Sequence, residues 1–350
     1  MSAPATQALS EGSLGIALLH IERGDLSAAQ PLLAKATADG VSTGANASLF
    51  HGAPAVEFVL GRAGGTDCRL QAAVDKVTTS RLHAARQRRQ SARLPSLSEF
   101  DLIRGLTGLG ALLLARPSPP QLIEDVLAYL VSLTDPVAGG VPGWWSMDSP
   151  GHQQIIGGHG NNGVAHGIAG PLALLALAAR RGIHVEGQTD AIQVITRWLD
   201  RYGACYWITR SQLPARPPLH PLRMRPSWCY GTLGIARAQQ LAAIALHDPS
   251  RAHVAANSAE AALADTARLG LITDASLCHG WAGLLTVTKA IAADSPDPHR
   301  FTRRVSALRA RLTAGITELP KPGFLEGRAG AQLALDGTNA TNWTRSLLID

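Results

Sequence analysis

Ser227-Trp228-Cys229-Tyr230-Gly231-Thr232-Leu233-Gly234 and Cys278-His279-Gly280-Trp281-Ala282-Gly283 decide how this chain is read. Each places metal-ligand side chains directly before a Gly-x-x-Gly turn that opens an apolar helical stretch. Together they offer two thiolates and an imidazole, three of the four ligands that a zinc ion takes. An open fourth position suits catalysis rather than a structural site. Neighbouring residues within a helix diverge by about 100°, but at a helix-opening turn Cys278 and His279 can converge on one ion. Any one of the three alone reads as an ordinary core residue. Their shared setting favours the ligand reading. Cys68 and Cys205 lack that setting and read as structural.

The same turn recurs. Gly12-Ser13-Leu14-Gly15, Gly52-Ala53-Pro54-Ala55, Gly105-Leu106-Thr107-Gly108, Gly167-Ile168-Ala169-Gly170 and Gly327-Arg328-Ala329-Gly330 complete a set of seven, the second ending in alanine. With 35 glycines in 350 residues, about three or four such matches arise by chance, so context carries the signal. Each turn precedes an apolar run, and first glycines lie 40, 53, 62, 64, 49 and 47 residues apart. Such intervals hold two helices and their loops. The second helix shows as apolar–charged alternation at helical spacing over 121–133, 191–202, 257–269 and 301–316. Strand signals are nearly absent. Buried Gly-led helices alternating with amphipathic outer ones predict an all-α fold, an α/α ring or superhelix. Two Pro- and Gly-rich linkers, 135–163 and 209–226, interrupt the pattern, and each precedes a chemically loaded turn.

Composition bounds the partners less sharply. Hydrophobic residues make up 46% of the chain, ample for a core, and length alone suggests roughly two domains unless repeats override it. The net charge of +6 fits an acidic peptide, an anionic membrane face or nucleic acid and selects none. The start of the chain reads as lacking a signal peptide, and the longest apolar runs are too short to cross a bilayer. Four cysteines in this length do not form a disulfide framework, which points to a reduced, cytosolic setting. Phosphate-binding loops, nucleophile elbows and nucleic-acid motifs are missing from the sequence.

Further residues gather around the two cysteine turns. His166 stands immediately before the fourth turn, in the phase of His279. In a closed ring, equivalent turns face one centre, so His166 is expected near the metal, as a ligand or a proton donor or acceptor. Asp101, four residues before Gly105, can orient a histidine or simply favour a helix N-terminus. Arg225, in the proline-rich loop, can steady a developing oxyanion or be a surface arginine. His159 sits in a glycine-rich loop with no decided role. The acid-free run from Arg81 to Arg93 reads as a solvated helix face or as a docking patch for an acidic peptide.

These residues resemble the lanthionine synthetase C-type (LanC) family, the class I lanthipeptide cyclases. The resemblance rests on Phe100-Asp101-Leu102-Ile103-Arg104-Gly105, Pro142-Gly143-Trp144-Trp145, Ala165-His166-Gly167, Ser227-Trp228-Cys229-Tyr230-Gly231, Cys278-His279-Gly280 and Phe324-Leu325-Glu326-Gly327, in the family's order over nearly the whole chain. It implies one α/α-toroid domain over residues 1–350, seven inner and seven outer helices with zinc at one mouth. It implies zinc ligands at Cys229, Cys278 and His279, and catalytic residues at His166, Asp101, Arg225 and Tyr230. The implied reaction adds a peptide cysteine thiol across dehydroalanine or dehydrobutyrine to form a thioether ring. The implied partners are a dehydrated precursor peptide, a dehydratase and a transporter, with a cytoplasmic location that touches the membrane only through partners.

Two departures stand out. Only 11 residues precede Gly12 and 20 follow Gly330, so a seventh outer helix has little room and ring closure is open. The interval from Gly52 to Asp101 is no longer than the others, so an inserted subdomain of the kind some family members carry is not expected. Two other functions compete: a non-catalytic zinc module that binds thiol peptides as a scaffold, and a prenyltransferase-like zinc enzyme, whose Asp-Cys-His ligand set fits the adjacent Cys278-His279 pair poorly.

Overall fold

The computed structural model describes residues 5–137, 139–148, 155–213 and 224–350. Pro150-Gly151 of the first expected linker, and Pro214, Pro217-Pro218 and Pro221 of the second, lie outside the described residues, as do 1–4. Helices alternate along the chain: α1 (Ser13–Glu22), α2 (Leu26–Thr37), α3 (Ala53–Arg62), α4 (Cys68–Gln90), α5 (Leu106–Ala115), α6 (Leu122–Ser132) and α7 (Ala169–Arg180). They continue as α8 (Gln188–Tyr202), α9 (Thr232–Ala245), α10 (Pro249–Ala264), α11 (Trp281–Ala293), α12 (Thr302–Gly315) and α13 (Arg328–Asp336). Odd-numbered helices follow the glycine turns and form the inner ring. Even-numbered helices pack outside them, each against the inner helix before it.

Burial follows the residue pattern. All of α5 is buried, as an all-apolar helix requires. The outer α12 buries only Leu308 and Leu312 among its charged residues. Each inner helix packs on the next, and α13 packs on α1, so the ring closes. The expected seven outer helices become six among the described residues, and the seam between α13 and α1 closes by direct inner-helix contact. The expected outer helix over 257–269 is corrected too. It begins at Pro249, capped by Asp248 accepting from the Arg251 N–H at 2.9 Å, and stops at Ala264. There Asp265 accepts from the N–H groups of Ala267 and Arg268, both at 3.0 Å, and starts a separate turn.

The turns themselves are stitched together. The Leu9 N–H donates to the Phe50 carbonyl (2.9 Å), Leu102 to Ala165 (3.1 Å), Val164 to Cys229 (2.8 Å), Cys229 to Cys278 (3.3 Å), Cys278 to Leu325 (2.8 Å) and Leu325 to Ser10 (3.0 Å). These bonds join six of the seven neighbouring turn pairs. Within the turns the backbone also folds closely on itself, which explains the glycines. A Cβ on Gly234 would lie within 3 Å of the Trp228 carbonyl, and one on Gly330 within 3 Å of the Phe324 carbonyl. Their backbone angles are ordinary, so space rather than conformation demands glycine there.

At the opposite end, cations meet the C-termini of the inner helices. Arg62 donates to the Ala115 carbonyl (3.0 Å), Arg181 to Leu114, Arg237 to Ala290 (3.3 Å) and Lys289 to Gly337 (2.8 Å). Such groups offset the converging negative ends of the helices. The arginines of α4 are also engaged within the chain. Arg88 grips Glu99 at 2.9 Å, Arg86 pairs with Asp125, Arg89 with Asp135, and Arg81 donates to the carbonyls of Ala45, Ala47 and Arg104. These contacts favour a structural reading of that run over a docking patch. Among the described residues, no helix is long and apolar enough to cross a membrane.

Strands are few but well placed. Pro136–Val137 pairs with Val141–Pro142, and His159–Asn161 pairs antiparallel with Trp207–Thr209. The second pair ties the two linker regions to each other beside the mouth of the ring.

Gly234→Ala should destabilise the fold by about 1–3 kcal/mol through overpacking. Gly61→Ala on α3, where a Cβ meets nothing within 4 Å, should instead stabilise it by about 0.4–1 kcal/mol. Denaturant unfolding of both variants checks the contrast.

Candidate active site

The mouth lined by the glycine turns gathers the chemistry. Cys229 and Cys278 each sit two residues before a first glycine, on turns joined by the Cys229 N–H to Cys278 carbonyl bond. His279 follows Cys278 directly. One ligand atom from each of Cys229, Cys278 and His279 lies within 4.8 Å of the others. Two sulfurs and an imidazole nitrogen suit zinc by softness and by number, with a position left over. Cys68 is exposed at the start of α4 and Cys205 is half-buried, and neither joins this group.

Electrostatics of the group reflect shared protons. The hydrogen bond from Cys278, aided by Ser227 and the nearby His279 and Arg225, holds the Cys229 thiol below its usual range despite burial. The same bond pushes Cys278 well up. The Asp274 carboxylate, 2.9 Å from His279 Nε2, raises the imidazole pKa against burial. Although burial opposes it, hydrogen bonds from His279 and Ser276 hold Asp274 well below the usual carboxylate range.

His166 lies on the neighbouring fourth turn. Its Nδ1 is 2.6 Å from Asp101 Oδ2, and Asp101 is buried at 1% exposure. The other Asp101 oxygen accepts from the N–H groups of Arg104 (2.6 Å) and Gly105 (2.8 Å). The His166 and Tyr230 rings lie 6.0 Å apart, and burial raises the Tyr230 phenol pKa. Asn161 Nδ2 approaches the Tyr230 hydroxyl at 3.5 Å. Arg225 joins them in an open cavity of about 890 Å³ lined also by Asp101, Arg104, His166, Tyr206 and Tyr230. The backbone of the same loop is tied in place, since the Arg225 N–H donates to the Tyr206 hydroxyl at 3.0 Å. The structure thus brings Asp101, His166, Arg225 and Tyr230 to one cavity, and Val164 and Ala165 donate to the Cys229 carbonyl just behind it.

Trp144 and Trp145 anchor the first linker. Both are buried, Trp145 Nε1 donates to the Gly157 carbonyl at 2.9 Å, and Trp144 meets Trp198 edge-on at 5.2 Å. His159 stands apart from the metal group, fully buried in the strand pair.

Sequence reasoning passed over Asp274 and Asn161. A signal was available. Both lie six residues before their first glycine, the phase of Arg225, and Glu99 and Lys321 hold the same phase on two other turns. Each of Asp274 and Asn161 accepts from the N–H two residues on, at 2.7 and 3.0 Å.

A closed double ring of helices with a thiol–imidazole cluster and an aspartate–histidine pair at one mouth defines a narrow class of proteins. The chain belongs to the family described as lanthionine synthetase C-like protein, whose model matches residues 3–348. It is similar to the nisin biosynthesis protein NisC of Lactococcus lactis subsp. lactis, 23% identical over 343 residues that cover 91% of this chain and 80% of the relative. Its fold is that of the solved nisin cyclase, with a TM-score of 0.81 at 22% identity, covering 99% of this chain and 92% of that one.

Burial lowers the His159 pKa from its ordinary 6.5 to about 4. A buried neutral histidine gains its proton on unfolding, so its contribution is full above pH ~6.5 and fades as pH falls toward 4. The chain should therefore lose up to about 3 kcal/mol over that window. His159→Phe should flatten that slope in denaturant midpoints measured from pH 7 to pH 4.

Proposed function

We propose that this protein is a zinc-dependent lanthipeptide cyclase. In this reading a cysteine thiol of a dehydrated precursor peptide adds across a dehydroalanine or dehydrobutyrine in the same peptide. Sulfur bonds to the β-carbon, a proton is delivered to the α-carbon, and the peptide mass is unchanged. The observation that carries it is the placement of the Cys229, Cys278 and His279 group on the fifth and sixth turns, the fifth adjoining the turn that bears His166.

Cys229, Cys278 and His279 would hold the zinc. When bound, zinc supplies a Lewis acid that lowers the pKa of an incoming peptide thiol. His166 handles the proton of the addition at its Nε2, because Asp101 holds Nδ1. Burial and two backbone N–H donors fix Asp101, so the imidazole keeps one orientation. Arg225 faces the cavity where negative charge develops on the carbonyl oxygen next to the α-carbon, and steadies it. Tyr230, held protonated by its burial, serves as a hydrogen-bond donor beside His166. The substrate requires an enzyme that dehydrates serine and threonine, so a dehydratase is the expected partner, with a transporter for the product and a cytoplasmic site of action.

Incubation with a dehydrated precursor peptide should remove free thiol at unchanged mass. His166→Ala should slow this by about 10²–10⁴-fold with zinc retained, the range of general acid–base assistance. Cys278→Ala should lose both zinc and turnover. Cyclisation at the parent rate in Cys278→Ala would overturn the zinc reading.

A further inference from the structure

Two aspartate–histidine pairs stand at the mouth of the ring, and they grip opposite ring nitrogens. On the third and fourth turns, Asp101 Oδ2 holds His166 Nδ1 at 2.6 Å. On the sixth turn, Asp274 Oδ2 holds His279 Nε2 at 2.9 Å. Each carboxylate is fixed by backbone N–H groups on its other oxygen. Asp101 Oδ1 accepts from Arg104 and Gly105, and Asp274 Oδ1 accepts from Ser276 at 2.7 Å. The Asp274 turn is compact, since its carbonyl also accepts from the Trp281 N–H at 3.1 Å. A Cβ on Gly280 would lie within 3 Å of Asp274 Oδ1, so glycine is what lets the carboxylate come so close.

We infer that Asp274 is a positioning residue that commits His279 to binding metal through Nδ1, and that the choice of nitrogen sorts the two histidines into separate jobs. A neutral imidazole has one N–H and one lone pair. A carboxylate takes the N–H, so the opposite nitrogen carries the lone pair. With Asp274 on Nε2, the His279 lone pair lies on Nδ1, the nitrogen nearer the backbone that His279 shares with Cys278. With Asp101 on Nδ1, the His166 lone pair lies on Nε2, at the far end of the ring and toward the open cavity. The first arrangement suits a ligand held beside two sulfurs. The second suits a group that reaches a substrate. Carboxylates that orient metal-bound histidines this way typically change metal affinity by about 10–100-fold when removed.

The inference rests on the zinc reading of the site, and zinc retention separates the two without any peptide. Purified parent, Asp274→Asn and Asp101→Asn are loaded with zinc and titrated with a competing chelator, and their metal-free unfolding midpoints are compared. Asp274→Asn should bind zinc about 10–100-fold more weakly, and Asp101→Asn should bind within about twofold of the parent. In the cobalt-substituted proteins, the sulfur-to-cobalt absorption bands should shift in Asp274→Asn and stay in place in Asp101→Asn. If Asp274→Asn proves poorly folded without metal, Asp274→Glu provides the same comparison and should recover part of the affinity. Parent-like zinc affinity and cobalt spectra in a folded Asp274 variant would overturn the assignment while leaving the zinc site intact. Equal loss in Asp101→Asn would overturn the division of roles. A parent that retains no zinc would overturn the metal reading itself.

Discussion

The backbone bond from the Cys229 N–H to the Cys278 carbonyl is one link in a circle, and the rest of the structure depends on that circle. Six of the seven turns hand a backbone N–H to the next turn's carbonyl two residues before its first glycine. The bond satisfies a buried polar group that would otherwise cost about 1–3 kcal/mol. It also sets the distance between neighbouring turns, while the glycines that open the helices let each turn fold closely on its own backbone, as Gly231 does against the Arg225 carbonyl. The ring closes through the Leu325 N–H to Ser10 carbonyl bond, joining the last inner turn to the first. A seventh outer helix is not needed for closure, because closure is made on the inside.

Chemistry follows from the circle. Residues one and two places before the first glycines lie beside the relay. Cys229, Cys278, His166, Tyr230 and His279 all occupy those two places. Residues from distant parts of the chain thus meet without long loops to carry them. The strand pair of His159–Asn161 with Trp207–Thr209 adds a second constraint, tying together the two linkers that carry Asn161 and Arg225 into the site. At the far end, Arg62, Arg181, Arg237 and Lys289 meet the carbonyls where inner helices stop. One end of the ring gathers the thiols and histidines while the other is lined by cations.

Much of this was legible in the residues. The glycine turns and the apolar runs after them report the inner ring directly, because these helices are buried over most of their surface, all of it in α5. Cys229, Cys278, His279 and His166 were legible through their shared phase. The number of outer helices was harder to read, since α2 buries only Ala29 and Ala36 and carries a weak apolar stripe. The break at Asp265 was hidden because helix-forming residues stand on both sides of it, and the side-chain cap decides where the turn restarts. Asp274 holds the phase of Arg225, but phase alone does not say that its carboxylate meets the His279 ring of the same turn. The α4 arginines looked unpaired because Asp125 and Asp135 belong to the next interval of the chain and Glu99 lies beyond the end of the helix.

The central claim is that two neighbouring turns of one ring make a single metal site from two sulfurs and one imidazole. X-ray absorption at the zinc edge of the purified protein tests it most directly. The account predicts two sulfur neighbours at about 2.3 Å with nitrogen or oxygen at about 2.0–2.1 Å completing the shell. A shell of nitrogen and oxygen alone, or one of four sulfurs, would contradict it.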